Sequence, residues 1–169
     1  MSALHAATSA VRDVYLPAGM RLTRAIEAEA ESAEYGACRF ALDRLSIVFR
    51  TGKITPAKAG QFVTLWKRPA AGADIAPLDA ADDVHLVVID VAEGPQRGQF
   101  IFDRRVLIDR GVMSRDGRGG KRALRIYPPW CTPTAKEAIR TQQWQLRCFL
   151  SMTAEGSAAT PERLHTLFR

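Results

Sequence analysis

One segment constrains the fold of this chain more than any other. Val84-His85-Leu86-Val87-Val88-Ile89-Asp90-Val91 is nearly continuous in apolar residues, and its β-branched content predicts a strand over Val84–Val91. A strand that is apolar at consecutive positions is buried on both faces. The chain must therefore lay structure on each side of this strand. Of its 169 residues, 47% are hydrophobic and 25% charged, which suffices for one domain and is too apolar for a disordered chain. The longest unbroken apolar run, Leu86–Ile89, is far short of the ~20 residues a membrane helix needs. The N-terminus, Met1–Arg12, has neither a basic start nor an apolar h-region. Three separated cysteines (Cys38, Cys131, Cys148) and three scattered histidines (His5, His85, His165) fit neither a disulfide framework nor a structural zinc site. A reduced, cytoplasmic protein is expected.

The flanking segments follow from their punctuation. A helix is expected from about Ala3 to Tyr15, stopped by Pro17-Ala18-Gly19. Residues 1–20 then read as an N-terminal helical segment and 21–169 as a single domain. The Ala- and Glu-rich stretch Leu22–Tyr35 suits a second helix, with Gly36 as its C-cap. Glu27 and Glu31 share a face of that helix, either as a solvated acidic face or as acids aimed at a site. Arg39–Arg50 reads as a strand with a bend at Asp43-Arg44. Gly60–Arg68 reads as another, after the break at Thr55-Pro56. Pro69–Asp83 is loop. Beyond Val84–Val91, Gly94-Pro95 turns the chain into a strand over Gln99–Ile108. Gly117–Gly120 is a flexible loop, and Arg122–Tyr127 a last strand stopped by Pro128-Pro129. Pro133–Met152 reads as a helix with Thr132 or Thr134 as N-cap, and Thr160-Pro161-Glu162 opens a short final one. The class is α+β: a mostly antiparallel sheet of five or six strands flanked by N- and C-terminal helices. Gly60-Gln61-Phe62-Val63 is echoed by Gly98-Gln99-Phe100-Ile101, a strand-level similarity or a coincidence rather than a repeat architecture.

Net charge is +6, with 24 Lys and Arg against 18 Asp and Glu. All of the excess falls in Arg104–Arg125, where eight basic residues face only Asp109 and Asp116. Most of the eight are arginines, whose planar fork suits phosphate, and the Gly-rich tip can bring backbone N–H groups to an anion. Tyr127-Pro128-Pro129-Trp130 comes immediately afterwards, and Trp144 lies on the next helix. Aromatic faces beside a basic strip are what base stacking requires. Core packing is the alternative, favoured for Tyr127, with Trp130 expected at the surface. Thr141, Gln142, Gln143 and Gln145 add neutral hydrogen-bonding groups. A polyanionic partner, nucleic acid above all, is expected.

Several motifs in order resemble the MepB family: Gly52-Lys53-Ile54-Thr55-Pro56-Ala57-Lys58, Gly60 to Arg68, Gly98 to Phe102, Gly120-Lys121-Arg122-Ala123, Tyr127-Pro128-Pro129-Trp130 and Thr141-Gln142-Gln143-Trp144-Gln145. The resemblance runs from about Glu31 to Leu150. It implies a bacterial protein encoded with a multidrug efflux pump, a fold similar to PD-(D/E)XK restriction endonucleases, and nucleic-acid binding. From the charge and aromatic pattern, Lys67, Arg68, Arg115, Arg118, Lys121 and Arg122 are the expected phosphate contacts, with Trp66 and Trp130 stacking on bases and Tyr127, Gln142 and Trp144 alongside.

The nuclease pattern implies an acid on an early helix, an Asp on a core strand and Glu/Gln/Asp-x-Lys on its neighbour, with carboxylates holding Mg²⁺. Glu31 (or Glu27), Asp83 (with Asp82 and Asp90 as rivals) and Gln99 fill the carboxylate and glutamine positions; Glu31 and Asp83 would hold the metal. Ile101 stands where the lysine belongs, and Lys67 or Lys121 would have to replace it. A second alignment takes Asp83-Val84-His85 as Asp-x-His on a strand paired with Gly60–Arg68. The family pattern has an acid after Tyr-Pro-Pro-Trp, where this chain has Cys131. A thiol beside an Arg-rich loop is expected to have a lowered pKa, though no His or Asn partner accompanies it. Three functions are thus open: a nucleic-acid-binding protein with a degenerate site, a Mg²⁺-dependent nuclease, or a module that binds an acidic protein partner.

Overall fold

A computed structural model describes residues 4–152 and 160–169 of the chain, so Ala3 lies outside the described residues. The chain opens with α1 (His5–Ala10), continues through one π-helical turn, Val11–Tyr15, and leaves it at Gly19, whose φ of +93° only glycine adopts readily. β1 (Leu22–Ala28) leads through a short 3₁₀ turn, Ala33–Tyr35, capped by Gly36 in the left-handed conformation. A hairpin comes next: β2 (Cys38–Leu42) and β3 (Leu45–Thr51) turn at Asp43-Arg44, with Asp43 at φ +51°. Four short strands succeed it: β4 (Lys53–Ile54), β5 (Gln61–Thr64), β6 (Trp66–Lys67) and β7 (Ala76–Pro77). The apolar run forms β8 (Leu86–Glu93), which turns into β9 (Gln96–Asp103). Then come α2 (Arg104–Asp109), β10 (Ala123–Ile126), α3 (Lys136–Gln145), a 3₁₀ turn, β11 (Phe149–Ser151) and α4 (Pro161–Leu167).

Three sheets result. The main one has the order β1-β2-β3-β8-β9-β11, and every neighbour is antiparallel except the parallel pair β3–β8. A three-stranded sheet, β10-β5-β4, and a ribbon, β6-β7, lie within and beyond the crossover that this parallel pair demands. The α+β expectation holds, with a mostly antiparallel six-stranded sheet and helices at both ends. β8 is buried on both faces from Leu86 to Val91, as its composition dictates. Leu86 and Val88 join Phe40, Phe49 and Ile101 under α1 and α4. Val87, Ile89 and Val91 join Val63, Leu78, Leu124 and Phe102 in a second core beneath the smaller sheet. The chain ends meet over the first core, where Tyr15 packs on Phe168 at 5.1 Å between ring centroids. Among the described residues no helix is long and apolar enough to cross a membrane.

Four local expectations are corrected. Leu22–Ala28 is an edge strand, not a helix, because pairing with β2 overrides the weak helical preference of Ala and Glu. The strand expected over Gln99–Ile108 ends at Asp103, whose carboxylate accepts the Val106 N–H at 2.8 Å and so caps α2. The helix expected through Met152 stops at Gln145, since Phe149–Ser151 pairs with β9 instead; it begins after Ala135, with no threonine cap. The core strand pairs with β3 and β9, not with Gly60–Arg68. By contrast, Thr160 caps α4 by accepting from the Arg163 N–H, with Pro161 in the first turn.

Gly98 fixes the β9–β11 contact. A Cβ there would run into the Phe149 ring and lie 2.7 Å from the Leu150 carbonyl oxygen. Gly98→Ala is expected to destabilise the fold by about 1–3 kcal/mol through overpacking, read as a lower midpoint in urea denaturation. An unchanged midpoint would show that β11 yields freely.

Candidate functional site

The basic stretch does not fold as a uniform strip. Arg104 turns inward and donates to the carbonyl oxygens of Val84 (2.9 Å) and Asp82 (3.0 Å), pinning the start of α2 to the entrance of β8. Arg105 is exposed and lies 3.9 Å from Asp109. Arg115 and Arg118 face each other across a tight loop built on positive φ at Asp116, Gly117, Gly119 and Gly120. Asp79 ties that loop down: its carboxylate accepts from Ser114 Oγ at 2.6 Å and from the Gly117 N–H at 3.1 Å, and also from the Ala81 N–H. These donors favour the charged form and hold the Asp79 carboxyl down at about 2. The loop that presents Arg115, Arg118, Lys121 and Arg122 is thereby anchored.

The rest of the stretch lines a groove of about 660 Å³ between β10 and α3. Five cations reach it: Lys58, Arg110, Lys121, Arg125 and Arg140, against one carboxylate, Glu137. Arg140 pairs with Glu137 at 3.4 Å; among the described residues none of the other four forms an ion pair. The aromatic wall is Phe62, Tyr127 and Trp144. Arg110 lies over the Trp144 ring at 5.2 Å and Arg125 over Phe62 at 5.9 Å, both within cation–π range. The result is a concave, positively charged surface with flat rings set into it.

The expected contact residues divide. Lys121, Tyr127 and Trp144 line the groove. Trp66, Lys67 and Arg68 do not: Lys67 donates to Asp82 at 2.7 Å, and Arg68 lies over the Trp66 ring and binds Glu31 at 2.7 Å. Gln142 is engaged with the backbone, its amide donating to the carbonyls of Pro128 and Cys131. Trp130 is half-buried against Phe149 and donates to Glu93 at 3.0 Å, beside a smaller depression that also contains Lys58 and Cys131. Tyr127 is mostly buried and its N–H is held by Gln145 Oε1. Arg115, Arg118 and Arg122 are exposed on the anchored loop and the strand entry. Sequence reading missed Lys58, Phe62, Arg110, Arg125 and Arg140. The signal for the last was present: Glu137, Arg140, Thr141, Trp144 and Gln145 fall at one-turn spacing, so they share a helix face.

The nuclease arrangement does not assemble. Glu31 is on no helix. Asp83 is exposed at the entrance of β8, where it accepts from Ser46 Oγ at 3.0 Å and lies 3.8 Å from Arg24. Gln99 pairs in register with Asp90, and Leu86 to Asp90 alone spans about 13 Å, so Asp83 and Gln99 sit at opposite ends of β8. The acid beside Gln99 is Asp90, one of the rivals, and it is unsuited to a metal. It is 4% exposed, and burial pushes its carboxyl upward despite the opposing charge of Arg97. It accepts from Gln99 Nε2 at 3.1 Å and from Arg97 at 3.3 Å, while Gln99 Oε1 accepts from the buried Tyr15 hydroxyl. Donors occupy the positions a cation would need, and among the described residues no three His, Cys, Asp or Glu side chains converge as a metal site. Neither replacement lysine comes to this cluster: Lys67 is bound to Asp82, and Lys121 is in the groove. In the Asp-x-His alternative, His85 Nδ1 accepts the Ser46 N–H at 2.9 Å and stays a hydrogen-bonded strand residue. Burial raises the Cys131 thiol rather than lowering it, which removes the expected activation.

Asp79 supplies a pH signature. Its folded-state pKa lies below the unfolded value of about 3.9, so its stabilising effect is present above that pH and drains away as pH falls toward about 2. Asp79→Asn is expected to lower the denaturation midpoint at pH 7 and to leave it nearly equal to the unsubstituted chain at pH 2. An equal deficit at both pH values would refute the electrostatic anchor.

Two comparisons place this architecture among known proteins. A profile of the MepB-like family matches residues 29–151. The crystal structure of MepB aligns at 30% sequence identity with a TM-score of 0.73, covering 78% of this chain and 88% of that one. A comparison with curated proteins finds no match. A match over most of the length, spanning β2 to β11 and the groove, means that the chain belongs to the MepB-like family.

Proposed function

We propose that this chain is a cytoplasmic nucleic-acid-binding protein that holds DNA or RNA in the groove between β10 and α3, on a nuclease-like scaffold whose catalytic centre is degenerate. One observation carries the proposal: Lys58, Arg110, Lys121 and Arg125 converge on the groove with no carboxylate partner, beside three aromatic side chains. Uncompensated cations in a concavity favour a polyanion by displacing its condensed counterions. Aromatic walls add what inorganic phosphate would not use: surface for bases. Metal-dependent cleavage has no such support, since the acids it needs are separated or hydrogen-bonded to other side chains.

If the four unpaired cations each meet a phosphate, affinity should fall roughly 50- to 150-fold between 50 and 200 mM salt. Fluorescence anisotropy with a labelled oligonucleotide measures this directly. Lys121→Glu should flatten the salt slope by about one phosphate contact, whereas Arg105→Glu, on the exposed side of α2, should leave it nearly unchanged. Salt-independent binding, or an equal effect of both substitutions, would refute the groove as the site. Incubation with Mg²⁺ or Mn²⁺ should leave the oligonucleotide intact.

A further inference from the structure

The tight turn at residues 115–118 is a basic surface in its own right, outside the groove. The Arg115 N–H donates to the Arg118 carbonyl at 3.0 Å, and the Arg118 N–H to the Arg115 carbonyl at 2.9 Å. Asp116 and Gly117 lie between them at φ +50° and +74°, as the central residues of a two-residue hairpin turn of type I′ require. Residues directly opposite in such a pair place their side chains on one face. The turn therefore presents two guanidinium groups side by side, with a carboxylate at its tip.

This turn is held in place before any partner arrives. Asp79 accepts from Ser114 Oγ on one side of it and from the Gly117 N–H within it. Gly120 presses so closely on its surroundings that a Cβ would lie 2.7 Å from Pro77 and 2.9 Å from the Ser114 nitrogen. A preorganised loop loses little freedom on association. Its charged groups are unengaged: Arg115, Asp116 and Arg118 are exposed, and among the described residues none of the three forms an ion pair or a side-chain hydrogen bond.

The surroundings and the order of charge narrow the partner. Arg115, Asp116 and Arg118 line neither the groove nor the two depressions beside it. No aromatic residue occurs from Gly111 to Arg122, so the turn offers a base nothing to stack on. A phosphodiester backbone is negative throughout and is repelled by Asp116. A polypeptide can set a cation between two carboxylates and so match the order arginine, aspartate, arginine. Charge complementarity of this kind fixes register and rejects wrong partners. The arginine fork also takes a carboxylate through two parallel hydrogen bonds.

We infer that this turn docks a protein partner through an exposed acidic segment in which a lysine or arginine stands between two glutamates or aspartates, with the carboxylates on Arg115 and Arg118 and the cation toward Asp116. The probe is a fluorescein-labelled peptide that alternates glutamate and lysine and both starts and ends on glutamate. Its anisotropy is followed against the full chain at about 50 mM salt, where charge contacts are weakly screened. Replacing both arginines, Arg115→Gln with Arg118→Gln, should weaken the peptide about tenfold and leave binding of a labelled oligonucleotide unchanged. Asp116→Asn keeps a residue that tolerates positive φ; it should weaken the peptide several-fold without weakening the oligonucleotide. No binding of the peptide to the unsubstituted chain overturns the inference. Loss of oligonucleotide binding in the double variant, with or without loss of the peptide, also overturns it and gives the turn to nucleic acid. Peptide binding untouched by Asp116→Asn overturns the assigned charge order. The inference does not rest on the groove: a chain that binds the peptide and no oligonucleotide would sustain it and refute the proposed function.

Discussion

The parallel pairing of β3 with β8 is the constraint on which the rest of the molecule depends. Antiparallel neighbours can be joined by a two-residue turn, but a parallel pair requires a long connection that leaves the sheet and returns. In this chain the connection runs from Gly52 to His85 and contains β4 to β7. It deposits β5 over one face of the sheet, where β10 later pairs with it from Ala123↔Thr64 to Ile126↔Gln61. That added layer gives β8 its second buried face and supplies Phe62 and Lys58 to the groove. The groove is a by-product of covering an apolar strand on both sides.

The opposite face is organised by polar atoms. Tyr15, Gln99, Asp90 and Arg97 form a chain of hydrogen bonds that ties the N-terminal helical segment to β8 and β9. Deep burial makes Tyr15, Gln99 and Asp90 expensive to leave unpaired, so the cluster sets where the N-terminal segment docks. Arg50 plays a comparable part on the groove side. It is fully buried, bound to Glu29 at 3.2 Å and to the carbonyls of Phe49 and Thr64, and it joins the edge of the main sheet to β5. The acids and amides that sequence alone arranges into a catalytic centre are better understood here as fasteners.

Much of the fold is legible in the sequence wherever a signal is local and strong. Val84–Val91 announces its double burial, Asp43-Arg44 its turn, and Thr160-Pro161 its cap. Leu22–Ala28, Arg104–Asp109 and Phe149–Ser151 are misread because their state is set by partners outside the segment itself: β2, the Asp103 cap and β9. For the site, the concentration of charge is visible in Arg104–Arg125, but orientation is not. Arg104 faces inward and Arg110 faces the groove, and nothing in their neighbourhoods distinguishes them. The echo of Gly60-Gln61 in Gly98-Gln99 acquires a physical meaning. Each glycine is overlain by an aromatic ring from the strand that pairs alongside or the residue just after it, Phe149 or Tyr127, and each glutamine is buried. A close backbone approach, not shared ancestry of function, is sufficient to select the pair.

The outermost strand, β1, has a consequence for life in a crowded solution. A sheet that ends in a long, regular strand invites another chain to continue it. Here the pairing of β1 with β2 slips twice, between Leu22 and Arg24 and again between Arg24 and Glu27, and Arg24 and Glu27 stand exposed along it. Irregular register twists the free backbone groups out of line, and charge penalises a stacked neighbour. At the other end β11 has only three residues. Both margins of the main sheet are therefore poor templates for self-association.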